Sequence, residues 1–155
     1  MMLLDMLPQG RRLTLGTYAF DAVNIVDFAT EFDPHSFHVD EEAAKDSVFG
    51  GLCASGWHVC SACMRNFIDF MRVEMDKVKA RGEAAPKPGP SPGIRNLKWL
   101  RPVYAGDVAT FYLTVHSSDP IPNRPGRNMC ELTFEGENQK GEKVLAFDCA
   151  MIEFE

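Results

Sequence analysis

No apolar run in this chain approaches the roughly 20 consecutive residues that a helix needs to cross a bilayer, so the sequence holds no candidate membrane span. A disulfide framework is lacking as well: there are five cysteines, an odd number, scattered without paired spacing. The opening MMLLDMLPQGRRL interrupts its apolar residues with Asp5 and Pro8 before its basic pair, the wrong order for a secretory signal. These absences lead to the expectation of a soluble protein in a reducing compartment, cytoplasmic and without a membrane partner. Positive charge is scarce: 16 Lys and Arg stand against 22 Asp and Glu, a formal net charge of -6. A general nucleic-acid binder needs the opposite balance, because it displaces counterions from phosphates with Lys and Arg. No internal repeat is visible, which excludes a solenoid.

What is present fits one domain over residues 1–155, with 45% hydrophobic residues. A chain of this length buries roughly 68–70% of its unfolded surface and needs no staple. The charge is uneven. Nine of the 16 basic residues but four of the 22 acidic ones lie between Arg65 and Arg101. A solvated helix face and linker is the expected explanation, and contact with a small polyanion the competing one.

Residues 1–12 show no period and are expected to form a loose arm, followed by a strand from Leu13 to Phe20. Asp21 is placed to cap a helix that carries Val23, Val26, Phe28 and Ala29 on one side and stops near Phe32. Asp40 is placed to cap a short acidic turn that ends by Phe49-Gly50-Gly51. From about Cys53 to Ala80, proline-free, Val59, Cys63, Phe67, Phe70, Met71 and Met75 recur at three- and four-residue spacings, predicting the longest helix. Residues 82–93, GEAAPKPGPSPG, can be neither helix nor central strand and are expected as an exposed loop. Beyond it the period becomes two: strands over Ile94–Leu100 and through Ala109 to Val115, a loop from Ser117 to Arg127, then strands around Leu132 and from Val144 to Phe154. This order predicts an α+β domain with an antiparallel sheet wrapped around one long central helix.

The stretch Phe32–Gly56 concentrates the chemistry. Asp33 and His38 stand five residues apart in a segment that Pro34 keeps from being plain helix, and a Gly-rich entry into the long helix follows. A carboxylate and an imidazole facing amides at a helix N-terminus suit acid/base work on a carbonyl compound. By themselves, Asp33 reads equally as a turn former before proline and His38 as a loop hydrogen-bonder.

Phe28-Ala29, Phe32-Asp33-Pro34, His38-Val39-Asp40, Phe49-Gly50-Gly51 and Ser55-Gly56-Trp57 together resemble the hydratase motif of MaoC-like dehydratases, the (R)-specific enoyl-CoA hydratases of hot-dog fold. Trp99-Leu100-Arg101-Pro102-Val103 with Gly106-Asp107 resembles a later strand and turn of the same family. The resemblance covers roughly Gly16 to the C-terminus. It implies a hot-dog fold, a homodimer with sheets joined edge to edge, and a coenzyme A thioester as substrate with no separate cofactor. It further implies that Asp33 and His38 are the catalytic pair and that the Gly56 amide is the oxyanion donor. Phe49, Gly50, Ser55 and Trp57 are then expected to line the substrate, with core packing or a dimer contact the competing role for Trp57 and for His58. Many such enzymes read Asp-x-Asn-Pro, whereas here Pro34 follows Asp33 directly and His35 comes next; His35 is expected to point away from the pair.

A hydro-lyase acting on a 2-enoyl-CoA or 3-hydroxyacyl-CoA is the reading these residues favour. A thioesterase on the same fold and a non-catalytic acyl-thioester binder are the alternatives. No metal is expected: Cys53, His58, Cys60 and Cys63 include zinc ligand types, but on one continuous helix they do not converge. Buried small side chains explain the cysteines better.

Overall fold

The computed structural model describes all of Met1–Glu155. Eleven elements follow in order: α1 (Leu3–Met6), β1 (Arg12–Ala19), α2 (Ala22–Phe32), α3 (Ser36–Val39), α4 (Glu41–Lys45), α5 (Gly56–Ala80), β2 (Lys87–Pro88), β3 (Gly93–Trp99), β4 (Val108–Pro120), β5 (Arg127–Glu137) and β6 (Lys143–Phe154). One antiparallel sheet runs β1-β4-β5-β6-β2, with β3 also paired to β6. It curls around α5, whose 25 residues make it the longest helix. This is the α+β hot-dog fold. No helix is long and apolar enough to cross a membrane.

The spacing of apolar residues explains how α5 sits. Val59, Ala62, Cys63, Phe67 and Met71, with Val78 two turns further on, form one stripe that is buried against the sheet. Phe67 meets Phe134 of β5 edge-on at 5.2 Å. On β6, Val144 and Ala150 are buried on one side and Leu145, Phe147, Cys149 and Met151 on the other, the signature of a strand covered on both faces. Gly16 of β1, at φ +150°, lets α5 approach: a Cβ there would lie 2.3 Å from the Asn66 side-chain oxygen.

Several sequence expectations need correction. Residues 1–12 are not a loose arm. Leu3 and Leu7 are buried in the core, and the Leu3 N–H donates to Glu153 Oε2 at 2.6 Å. Glu153 is itself 1% exposed and also accepts from Ser118 Oγ and from Cys130 Sγ, so a buried carboxylate on β6 anchors the N-terminus from 150 residues away. On α2 the buried residues are Ile25 and Ala29, while Val23 points to solvent. The segment 82–93 is not loop throughout: Lys87–Pro88 pairs with Glu153–Phe154, and Gly93 opens β3. β4 continues past Val115 through an irregularity at Ser117 and pairs with β5 as far as Pro120, which shortens the expected loop to residues 121–126.

The basic excess of residues 65–101 is largely neutralised along α5. Asp69 pairs with Arg65 and Arg72, Glu74 with Lys77, Asp76 with Lys79, and Glu83 with Arg81 just beyond. Those within the helix are i,i+3 and i,i+4 surface contacts worth about 0.3–0.5 kcal/mol each. They form a solvated helix face.

Candidate active site

Two caps and one proline set the geometry. Asp21 accepts from Asn24 N at 2.8 Å and starts α2, which runs to Phe32 and leaves Asp33 at its exit. Pro34 then forces extended backbone, and α3 carries His38 back toward the same point. Asp40 accepts from Glu42 N and Ala43 N, so it caps α4, as expected. Residues 52–54 are pinned beside residues 103–105 by Ala54 N donating to Val103 O at 2.8 Å and Ala105 N to Leu52 O at 3.0 Å. Ser55 caps α5, accepting from Trp57 N at 3.3 Å.

The structure brings Asp33 and His38 together. Asp33 Oδ2 lies 3.5 Å from His38 Nε2. His38 Nδ1 is 2.6 Å from the Cys53 carbonyl oxygen, which can only accept. The Nδ1 proton is therefore fixed there, and Nε2 is the ring nitrogen turned toward Asp33. Ser55 Oγ donates to Asp33 Oδ2 at 2.7 Å. Burial alone would raise the Asp33 pKa, but the hydrogen bonds from Ser55 and His35 and the nearby His38 outweigh it and hold the carboxyl below its usual range. Cys53 Sγ sits 3.7 Å from His38 Nδ1. Burial, and secondarily the charge of Asp33, pushes that thiol up to about 11, so it stands as a neutral thiol and not a nucleophile.

Asp33 opens onto a cleft of about 350 Å³ walled by Phe49, Cys53, Gly56, Trp57, Val59, Trp99, Leu100, Arg101 and Val103 among others. His38, 7% exposed, lies behind that wall beside Asp33 and not in it. The Gly56 N–H, first in α5, donates to no group of the chain. Its Cα lies under the Trp99 indole, where a Cβ would come within 2.4 Å of Cε2. Gly56 thus lines the apolar cleft with an unused amide at the positive end of a 25-residue helix.

Two expected site residues lie off the cleft, and one residue expected to point away stands at the pair. Ser55 is 0% exposed, spends its hydroxyl on Asp33 and Trp57, and does not line the cleft. Gly50, at φ +69°, lies outside the cleft, in a shallow depression with Gly51 and Tyr104. His35 does not point away: its Nδ1 is 2.5 Å from Asp33 Oδ1. Phe49 and Trp57 do line the cleft, and Trp57 meets Trp99 edge-on at 5.1 Å. Trp99, Leu100 and Arg101 were missed as site residues. The run Trp99–Val103 was itself a signal, since it carried part of the resemblance.

His58 belongs to another environment. It is 5% exposed, stacks on Phe28 at 4.7 Å, meets Phe20 edge-on and reaches Tyr18 Oη at 3.3 Å, while its Nδ1 has no partner. Burial, partly opposed by the charge of Asp21, pushes its pKa down to about 4. The ring packs between α2 and α5 and does not converge with Cys53.

An aspartate on an apolar cleft with an imidazole behind it, on a sheet curled around one helix, is the arrangement of a hot-dog protein of the hydratase and dehydratase type. The chain belongs to the MaoC-like domain family, whose model matches residues 8–126. It is similar to a MaoC-like dehydratase from Rhodospirillum rubrum, at 32% identity over 99% of this chain and 97% of that one, with a TM-score of 0.80. It is 27% identical over 129 residues to the uncharacterized protein YdeM of Bacillus subtilis, covering 83% of this chain and 82% of that one. The (R)-hydratase from A. caviae involved in PHA biosynthesis shares the fold, with a TM-score of 0.65 at 19% identity over 94% of this chain and 96% of that one.

Proposed function

We propose that the protein interconverts a 2-enoyl-CoA and a 3-hydroxyacyl-CoA by adding or removing water. The observation that carries this reading is the placement of Asp33 Oδ2 and His38 Nε2 3.5 Å apart, beside a cleft that also holds the free Gly56 amide. Both atoms are acceptors in the neutral-imidazole, ionised-carboxylate state, so one water can donate a hydrogen to each and present its oxygen lone pair to C3. In hydration that oxygen bonds to C3, its proton passes to the pair, and the C2–C3 π electrons move onto the thioester oxygen as an enolate. The proton held by the pair then bonds to C2; dehydration is the reverse. General acid/base groups of this kind contribute about 10²–10⁴-fold in rate. An amide aimed at the enolate oxygen contributes about 2.7–4 kcal/mol.

A homodimer completes the proposal. β3 is an edge strand with an open ladder, and Ile94, Trp99 and Leu100 near it, with Trp57, Met64 and Ile68 on α5, are exposed apolar residues, of which Trp57, Trp99 and Leu100 also line the cleft. Phe49, Trp57 and Trp99 wall the channel for the acyl thioester, and Arg101 at the cleft, held by Glu142 at 3.2 Å, supplies positive charge toward a phosphate-bearing ligand.

A panel of enoyl-CoA thioesters followed for loss of the conjugated double bond and for release of thiol tests the reading, with Asp33→Asn and His38→Ala in parallel. Hydration without thiol release, reduced at least about 100-fold in both variants, is the expected result. Thiol release would turn the assignment to a thioesterase. Binding without either signal would leave an acyl-thioester binder, and variants as fast as the parent would remove Asp33 and His38 from the mechanism.

A further inference from the structure

His35 gives Asp33 a second imidazole. Its Nδ1 meets Oδ1 at 2.5 Å, while Ser55 and His38 address Oδ2. The backbone turn that places it is closed by His35 N donating to Asp33 O at 2.8 Å. Its ring stacks on Phe37 at 5.3 Å with 6° between planes, which fixes its orientation. In contrast to His38, its side chain is 68% exposed. Asp33 is thus a carboxylate with an enclosed imidazole on one oxygen and a solvent-facing imidazole on the other. The titratable and charged groups that face it are His35, His38 and the neutral Cys53 thiol; no Lys or Arg pairs with it.

We propose that His35 is a positioning residue, which clamps Asp33 by its outer oxygen and favours its ionised form. The proposal rests on the hydratase reading above, because it assigns Asp33 the work of a base. With Oδ1 held by His35 and Oδ2 by Ser55, the carboxylate cannot turn, and Oδ2 stays on the His38 side. The hydrogen bond from His35 to Oδ1 favours the ionised carboxylate, and positive charge on that imidazole adds to the preference. His35 belongs to the groups that lower the Asp33 pKa, second in that direction to Ser55.

The test uses the full chain with ¹³C-labelled aspartate and follows the Asp33 carboxyl by NMR through a pH titration. It compares the parent with His35→Phe, which keeps the stack on Phe37, and His35→Gln, which keeps a donor but no charge. The Asp33 midpoint is expected to rise by about 0.5–1 pH unit in the Phe variant, less than the ~1–3 of an enclosed charge pair because His35 is solvent-facing. A smaller rise is expected in the Gln variant, and 1 M salt should shrink the difference between the parent and Phe. The acid limb of kcat/KM on the hydrated thioester should move up by the same amount, so activity falls about threefold to tenfold below the midpoint and little above it. An unmoved Asp33 midpoint in a folded variant, or a rate loss equal at every pH, overturns the proposal. If Phe at this position prevents folding, the Gln variant alone decides it by the same midpoint. If the parent hydrates no thioester, the hydratase reading falls while the carboxyl titration still judges His35.

Discussion

Lowering the pH from 7 to 4.5 should destabilise this protein through one buried ring, His58. In the folded chain its pKa lies at about 4, against an ordinary value of 6.5. The sign follows from proton counting: between these two values the unfolded chain binds a proton that the folded chain refuses, so stability rises with pH across the window. Its contribution is intact above about pH 6.5 and is lost as the pH falls toward 4. At pH 4.5 a gap of this size amounts to about 2–3 kcal/mol, at 1.36 kcal/mol per pH unit. The physical source is burial: the ring is packed among Phe28, Phe20 and Tyr18, its Nδ1 has no partner, and no carboxylate pairs with it to offset an added charge. Urea unfolding from pH 7 to 4.5 checks this for the parent and for His58→Phe, which keeps an aromatic ring in the pocket. The parent should lose about 2–3 kcal/mol more than the variant over that range, a midpoint change of about 1 M at a typical urea slope. Stability curves for the two proteins that stay parallel within about 0.5 kcal/mol would refute the reasoning. The consequence reaches the site, because His58 seats the first turn of α5 against α2, and these two helices position the Gly56 amide and Asp33.

Ser55→Ala removes both the cap of α5 and a donor to Asp33; it should cost about 0.5–2 kcal/mol by denaturant melt and raise the acid limb of the rate profile. Gly56→Ala pushes a methyl into the Trp99 indole, 2.4 Å from Cε2. The expected cost is about 1–3 kcal/mol, with a shifted tryptophan emission spectrum and a loss in kcat exceeding that in binding. Leu3→Ala should destabilise the fold by about 2–5 kcal/mol, since Leu3 is fully buried; a melt unchanged from the parent would return residues 1–12 to the status of a loose arm.

Reading the chain alone succeeded where one local rule acted without competition. The Asp21 and Asp40 caps followed from residue type beside a helix start, and α5 followed from apolar residues at helical spacing over 25 positions. It failed where two faces were nearly equal. On α2, Val23, Ile25, Val26, Phe28 and Ala29 surround most of the helix, and only the approach of α5 decides that Ile25 and Ala29 go inside. The N-terminus was misread for a different reason: Asp5 and Pro8 hide its period, and the partner that holds it, Glu153, sits on the last strand. The extension of β4 to Pro120 depends on a register shift at Ser117 that no local pattern displays.

At the site, the sequence by itself determined the chemical groups available: a carboxylate, an imidazole, a proline that breaks the helix between them, and a glycine at the head of a long helix. Tertiary structure decided how they are used. It turned His38 Nε2 toward Asp33 by giving Nδ1 to the Cys53 carbonyl, and it sealed Ser55 behind the carboxylate. It also laid Trp99 over Gly56 and brought His35 back onto Asp33 Oδ1. Residue type fixes what a group can donate or accept, but which partner it meets depends on hydrogen bonds and packing between segments far apart in the chain, and no local pattern encodes those.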